Sequence, residues 1–152
     1  MRRGKFFHGF VYAFSGFVAA VRQERNMRFH LCAACYVYFF SLFYDFGKVE
    51  YAVITGLVCG VLALEMLNSS LERCVERPSP DRYMTAGIVK DMAAGAVLVF
   101  CIGAAVCGVL LFGDIKVMRG ILSFFIQTPL AMVCFAVSLL ASAWFIFGKE
   151  DK

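Results

Sequence analysis

Apolar residues run along most of this chain in four long stretches, which short polar segments separate. Residues 29–44, 92–113 and 120–148 contain no Asp, Glu, Lys or Arg, and residues 51–71 contain only Glu65. Because an α-helix needs about 20 apolar residues to cross a bilayer, this pattern predicts four transmembrane helices. We place them at residues 30–46, 49–75, 85–112 and 121–147.

The segment before these stretches has a different pattern. Phenylalanine or valine occupies positions 7, 10, 11, 14, 17, 18 and 21, a recurrence with the period of an α-helix. The spacing predicts an amphipathic helix that lies on the membrane surface, and the alternative is a helix packed on the water-facing side of the protein. The predicted fold class is therefore an all-α membrane protein with an N-terminal surface helix and about four transmembrane helices.

These elements form one predicted membrane domain over residues 1–152. It comprises the surface helix (1–28), a core of three spans (29–113) and an additional span with a charged tail (114–152). The composition agrees with a membrane protein, because 61% of the residues are hydrophobic and the mean hydropathy is +0.76. Soluble domains contain about 45–50% apolar residues.

Basic residues concentrate in the N-terminal segment, in the segment after the second predicted span and in the C-terminal tail. With four crossings, all three segments lie on one side, which the positive-inside rule makes cytoplasmic. The net charge of +4 reflects this asymmetry, so no nucleic-acid partner is expected. Most of the seven cysteines lie in apolar stretches, and Cys32 and Cys35 lack a second pair, so we predict packing roles for them.

A row of polar side chains interrupts the second predicted span near its end. Glu65, Asn68, Glu72 and Glu76 follow one another at spacings of three and four, which places them on one helix face. A carboxylate at the centre of a membrane helix costs roughly 2.5–3.5 kcal/mol, so packing alone does not explain Glu65. A general base and a hard cation such as Mg²⁺ both suit carboxylates in this setting.

Two further positions carry matching chemistry. Lys90 at the start of the third span provides a point charge for phosphate, and Asp91 follows it. Glu24, which precedes the first span, supplies a candidate metal ligand from a separate element.

The same residues also allow purely structural interpretations. Ordinary ion pairs at the end of the second span would involve Glu72, Arg73, Glu76 and Arg77. Asn68 would then hydrogen-bond a neighbouring helix, and Glu24 would pair with Arg28. We assign no role to His8 or His30.

Three blocks of sequence resemble those of a known family. They are ERNMRFH at residues 24–30, LEMLNSSLE at 64–72 and KDMAAGAVL at 90–98. In their order and separation they are similar to the bacterial integral-membrane lipid kinases of the small diacylglycerol kinase family, especially the undecaprenol kinase branch of Gram-positive bacteria. The resemblance covers residues 5–113 and implies a lipid-kinase-like helical bundle with residues 29–113 as the kinase core.

The resemblance also implies a homotrimer with shared active sites, ATP as co-substrate, Mg²⁺ as cofactor and a membrane lipid as acceptor. By motif, Glu65 matches the catalytic base, and Glu24 and Glu72 match the metal ligands. Asn68 matches a substrate-binding position beside Glu65, and Lys90 and Asp91 match positions near the nucleotide. By spacing, further ATP-contacting positions fall at Lys5, Tyr12, Asp81, Arg82 and Tyr83.

The chain departs from the family pattern in three places. Glu76 stands where Asp is usual, Ser69 and Ser70 replace Thr-Ala, and the fourth span is additional. Neither a phosphate-binding P-loop nor the protein-kinase motif set occurs, so any nucleotide must be held differently.

We therefore expect an enzyme that transfers the ATP γ-phosphoryl group to a lipid primary alcohol. The resemblance favours undecaprenol, giving undecaprenyl phosphate, and the alternative is a diacylglycerol kinase that makes phosphatidate. Two alternatives of other classes are a small proton or cation carrier using Glu65 and a non-catalytic assembly subunit. The expected location is the bacterial cell membrane, with several spans and with the N-terminus and active site on the cytoplasmic side.

Overall fold

The computed structural model describes residues 3–75 and 83–148, and these residues form six α-helices and no strand. The helices are α1 (Arg3–Gln23), α2 (Arg25–Ser41), α3 (Lys48–Val75), α4 (Tyr83–Phe112), α5 (Ile115–Gln127) and α6 (Pro129–Phe147). Among them, α3, α4 and α6 are long and apolar enough to cross a membrane. The predicted all-α membrane fold is confirmed.

Helices α2, α3, α4 and α6 run back and forth between the same two ends of the molecule. At one end, the Tyr44 hydroxyl after α2 donates to the Phe112 carbonyl at the close of α4, at 2.7 Å. At the other end, Arg73 in the last turn of α3 pairs with Glu24 at the start of α2. The residues that bear the predicted chemistry lie toward this second end.

Aromatic rings hold the first end together. The rings of Tyr44 and Phe46 lie 5.0 Å and 5.2 Å from that of Phe112. Such pairs contribute about 0.5–1.5 kcal/mol each beyond their buried area. They fix the short connection between α2 and α3 against the end of α4.

The α3–α4 contact depends on a glycine. A Cβ atom at Gly60 would overlap the ring of Phe100 on α4, whereas one at Gly56, a turn earlier, meets nothing within 4 Å. The sequence places a small residue at both positions, but the close approach within the chain is at Gly60.

Gly60→Ala is expected to destabilise the protein by about 1–3 kcal/mol, because the Phe100 ring must move to admit the methyl group. Gly56→Ala is the matched control. It should leave stability unchanged or raise it slightly, since alanine is favoured over glycine in a helix by about 0.5–1 kcal/mol. Thermal unfolding of the two variants in detergent compares them, and equal midpoints would contradict the assigned contact.

The N-terminal helix is confirmed as a helix, and several of its large apolar side chains are exposed. Phe7, Phe10 and Phe14 are exposed, while Ala20 near its end is buried. The apolar face is thus available to a membrane surface, which stays a prediction. Glu24 separates α1 from α2 with extended backbone angles, φ −108° and ψ 121°.

The predicted fourth span is wrong in its bounds. Residues 121–147 do not form one helix, because the chain breaks at Thr128 between α5 and α6. Pro129 lacks a backbone N–H and disfavours a helical conformation at the residue before it. The connection between the predicted third and fourth spans is also mostly helical, since the Asp114 carboxylate accepts from the Lys116 and Val117 N–H groups and caps α5.

The first predicted span, residues 30–46, is displaced as well. The corresponding helix α2 begins at Arg25 and ends at Ser41, a length of 17 residues. The aromatic run that follows Ser41 continues the apolar pattern but forms the connection to α3. Hydropathy alone does not distinguish an apolar helix from an apolar connection between helices.

Candidate functional site

Glu65 is buried among polar groups from other helices. Its side chain is 4% exposed, and its Oε2 lies 4.0 Å from Nε2 of His30 on α2. The Asn26 side chain and the Glu24 and Glu72 carboxylates lie near enough to interact with the same carboxylate. Glu65 therefore faces into the protein, and its neighbours come from two separate helices.

Asn68 lies one turn further along the same face of α3. Its amide nitrogen donates to Oε1 of Glu72 at 3.3 Å, as the spacing of four residues allows. Its amide oxygen is buried and has no hydrogen-bond partner among the described residues. A buried acceptor without a partner is uncommon, and this one is available to a hydroxyl, a water or a metal ion.

Glu65 and Glu72 on α3, together with Glu24, form what we call the acidic cluster. Glu24 joins it through an ion pair with a residue that is distant in sequence. Its Oε1 accepts from the Arg73 guanidinium at 2.6 Å, and the extended backbone at Glu24 allows its side chain to leave the line of α1 and α2. No ion pair described for these residues joins Glu24 to Arg28, whose guanidinium donates to carbonyl oxygens of α1 and α6. Of the predicted helix-end pairs, Glu76 and Arg77 lie outside the described residues.

The donor chemistry of this cluster fits a hard divalent cation. Glu24, Glu72 and the free oxygen of Asn68 are all oxygen donors. Within residues 3–75 and 83–148, no group of three or more His, Cys, Asp or Glu side chains is close enough to enclose a metal. Mg²⁺ usually binds through one or two carboxylates plus substrate phosphates, so the residues fit a metal that arrives with a nucleotide.

Two other predicted site residues, Lys90 and Asp91, lie near the start of α4. Lys90 and Asp91 are exposed, and no described ion pair or hydrogen bond connects them to the acidic cluster.

The predicted nucleotide-contacting residues of the N-terminal helix and the segment before α4 are only partly described. Tyr12 is exposed on α1 and stacks on His8 with ring centroids 6.4 Å apart. Lys5 is in α1, and Tyr83 begins α4, but the described part of the structure does not extend to their side chains. Asp81 and Arg82 lie outside the described residues.

The sequence analysis missed two members of the site, His30 and Asn26. They are four residues apart and share one face of α2. Both belong to the block at residues 24–30, and this shared face is the signal that would have selected them. A single histidine at the start of an apolar run does not by itself indicate a functional site.

An apolar groove leads to the cluster between α2, α3 and α4. It encloses about 780 Å³ and is lined mainly by small and branched apolar side chains. His30 lies on its wall beside Glu65, and Phe112 and Met118 line the part toward the opposite end of the molecule. A hydrocarbon chain in this groove would present a terminal polar group to the carboxylates.

Comparison with known proteins identifies relatives for most of the chain. The family model for prokaryotic diacylglycerol kinase matches residues 11–112. The chain is 36% identical over 108 residues to the undecaprenol kinase of Bacillus subtilis, covering 71% of this chain and 88% of that protein. It is 31% identical over 102 residues to the diacylglycerol kinase of Haemophilus influenzae, covering 66% of this chain and 86% of the relative. No solved structure matches.

Proposed function

Because this chain belongs to the prokaryotic diacylglycerol kinase family and is a lipid kinase, we propose that it phosphorylates undecaprenol with ATP. The observation that carries the proposal is the position of Glu65, a buried carboxylate beside His30, which lines an apolar groove, and on the same helix face as Glu72. A lipid alcohol can lie in the groove while ATP stays in water. The choice of undecaprenol is supported by the 36% identity to the Bacillus subtilis undecaprenol kinase.

Glu65 accepts the proton of the lipid hydroxyl in this proposal. As the O–H bond breaks, the acceptor oxygen bonds to the γ-phosphorus, the bond to the bridging oxygen breaks, and ADP leaves. As the lipid enters, the free amide oxygen of Asn68 accepts the hydrogen bond of its hydroxyl and orients it, and this single proton then turns to Glu65. His30, whose Nε2 is 4.0 Å from Oε2 of Glu65, limits the movement of the Glu65 carboxylate.

Glu24 and Glu72 are the residues that would hold Mg²⁺. When bound, the ion would neutralise charge on the phosphates, which is a main source of catalysis in phosphoryl transfer. Asn68 holds Glu72 in place through its amide nitrogen. Arg73 pairs with Glu24 and lowers the repulsion among the three carboxylates.

We also propose that the working enzyme is a homotrimer with shared sites. The membrane-crossing part of α4 has no buried residue within the single chain, which leaves its apolar surface for lipid or for another copy. Lys90 and Asp91 are exposed on the same helix, and no described hydrogen bond or ion pair joins them to their own chain's Glu65. A neighbouring copy would bring such a pair to the nucleotide, together with Lys5, Tyr12, Asp81, Arg82 and Tyr83.

The proposed site lies on the cytoplasmic side of the bacterial cell membrane, where ATP is present. The basic residues of the N-terminal segment and of the segment after α3 support this orientation.

A direct assay of the purified protein tests the acceptor. With [γ-³²P]ATP and Mg²⁺, phosphoryl transfer to undecaprenol is expected to have a higher kcat/KM than transfer to diacylglycerol, each presented in the same detergent. The reverse preference would favour the diacylglycerol kinase alternative, which relatives from Haemophilus influenzae and Synechocystis support by name. Transfer to neither lipid would refute the proposed acceptors.

A further inference from the structure

Arg28 is completely buried at a junction of three helices. Its Nε and Nη2 atoms donate to the Ile146 carbonyl oxygen of α6 at 3.3 and 3.1 Å, and its Nη1 atom donates to the Arg22 carbonyl of α1 at 3.3 Å. Arg28 itself lies in the first turn of α2. One guanidinium therefore binds the ends of two other helices.

The two carbonyl acceptors contribute to the stability of a charged side chain in this position. Ile146 and Arg22 lie in the last turns of α6 and α1, where carbonyl groups lack partners within the helix and carry partial negative charge. The planar guanidinium donates in several fixed directions. A lysine ammonium would supply charge but would not reproduce this arrangement of donors.

The junction directly adjoins the candidate metal ligand Glu24. The Arg28 N–H donates to the Glu24 carbonyl at 3.3 Å, and the Glu24 N–H donates to the Ala20 carbonyl at 2.8 Å. Glu24 is the single residue between α1 and α2, so the relative placement of these helices sets where its side chain points. That direction is toward Arg73 and the acidic cluster.

Several contacts hold α6 against α2 independently of Arg28. The Tyr36 hydroxyl lies 3.0 Å from the Ser142 hydroxyl and 3.2 Å from that of Ser138. Phe135 packs on Tyr36, and Arg25 lies over the Phe147 ring at 5.9 Å. The end of α6 is thus a fixed point for the Arg28 guanidinium, although α6 lies beyond the family match at residues 11–112.

We propose that α6 positions the Glu24 carboxylate through Arg28, which makes Arg28 a positioning residue and the C-terminal helix part of the active-site scaffold. This inference rests on the proposed role of Glu24 in holding the metal with the nucleotide. The segment after residue 112, which lies beyond the family match, thereby gains a function.

Four variants of the full chain test the connection from both sides. Arg28→Ala removes the donors, and Arg28→Lys keeps the charge. Phe147→Pro keeps Arg28 but disfavours the helical conformation of Ile146, the residue before the new proline, and so redirects the acceptor carbonyl. Phe147→Ala is its matched control, because it removes the ring and leaves the carbonyl in place.

Mn²⁺ binding in the presence of β,γ-methylene-ATP, followed by electron paramagnetic resonance, is the first readout. Loss of a group that orients a metal ligand typically weakens metal binding about 10–100-fold. We expect Arg28→Ala and Phe147→Pro each to weaken Mn²⁺ binding about tenfold, with partial recovery in Arg28→Lys and near-normal binding in Phe147→Ala. The second readout is the Mg²⁺ concentration for half-maximal lipid phosphorylation, which should rise by a similar factor while kcat at saturating Mg²⁺ changes less.

Normal Mn²⁺ binding by folded Phe147→Pro would overturn the proposal, as would equal weakening in Phe147→Ala and Phe147→Pro. Circular dichroism and thermal unfolding identify any variant that does not fold, and Arg28→Lys then supplies the comparison from the α2 side. If the unmodified protein binds Mn²⁺ with the nucleotide but phosphorylates neither lipid, the proposed function fails while the positioning result stands.

Discussion

Glu65→Gln is expected to lower kcat for lipid phosphorylation by about 10²–10⁴-fold, the contribution typical of a general base. Glutamine is close to glutamate in size, so the packing around this buried position is retained. It cannot accept the proton of the lipid hydroxyl. Binding of Mg²⁺ and ATP should persist, because Glu24 and Glu72 are unchanged, and this is measured by Mn²⁺ titration with a non-hydrolysable ATP analogue.

Glu50→Gln provides the matched control for this variant. Glu50 lies in the first turn of the same helix, where its carboxylate accepts from the Gly47 N–H at 2.9 Å, far from the acidic cluster. It should retain nearly full activity. Wild-type rates in Glu65→Gln would refute the base assignment, and ATP-independent proton flux into liposomes that this variant abolishes would favour the carrier alternative.

Glu72→Gln and Glu24→Gln form the second prediction, a loss of metal-dependent activity. An amide retains one oxygen donor but loses the negative charge that attracts Mg²⁺. Even groups that only orient a ligand affect metal affinity about 10–100-fold, so we expect the half-maximal Mg²⁺ concentration to rise by about 100-fold or more. Activity measured across a Mg²⁺ titration at fixed ATP separates this effect from that of Glu65→Gln, which should not shift the midpoint.

Arg73→Gln distinguishes the metal role of Glu24 from its ion pair. This variant removes the Arg73 guanidinium, 2.6 Å from Glu24, and leaves both proposed ligands intact. Partly exposed ion pairs usually contribute about 0–1 kcal/mol, so the midpoint should shift much less than in Glu24→Gln. Equal shifts in Arg73→Gln and Glu24→Gln would show that the pair, and not the ligand, is what the site requires.

The elements governed by local periodicity agree closely with the sequence. The predicted spans at residues 49–75 and 85–112 correspond to α3 (Lys48–Val75) and α4 (Tyr83–Phe112). The spacing of Glu65, Asn68 and Glu72 also predicts their shared face, and the hydrogen bond between Asn68 and Glu72 follows from it. A regular helix converts sequence separation directly into direction.

The prediction and the structure differ where the end of a helix depends on one or a few residues. The break at Thr128 precedes a single proline inside an apolar run, and α2 ends at Ser41 although the apolar, aromatic pattern continues beyond it. Hydropathy reports how apolar a segment is, and it does not report whether the hydrogen-bond ladder continues through it.

The sequence by itself determined the membrane-type composition, the long helices and the polar face of α3, because each depends on residues within a few turns of one another. Only the tertiary structure decided that Arg73 meets Glu24, that His30 stands beside Glu65, and that Arg28 reaches a carbonyl 118 residues away on α6. Such contacts depend on the packing of whole helices. Periodicity along one helix carries no information about which helix lies beside it.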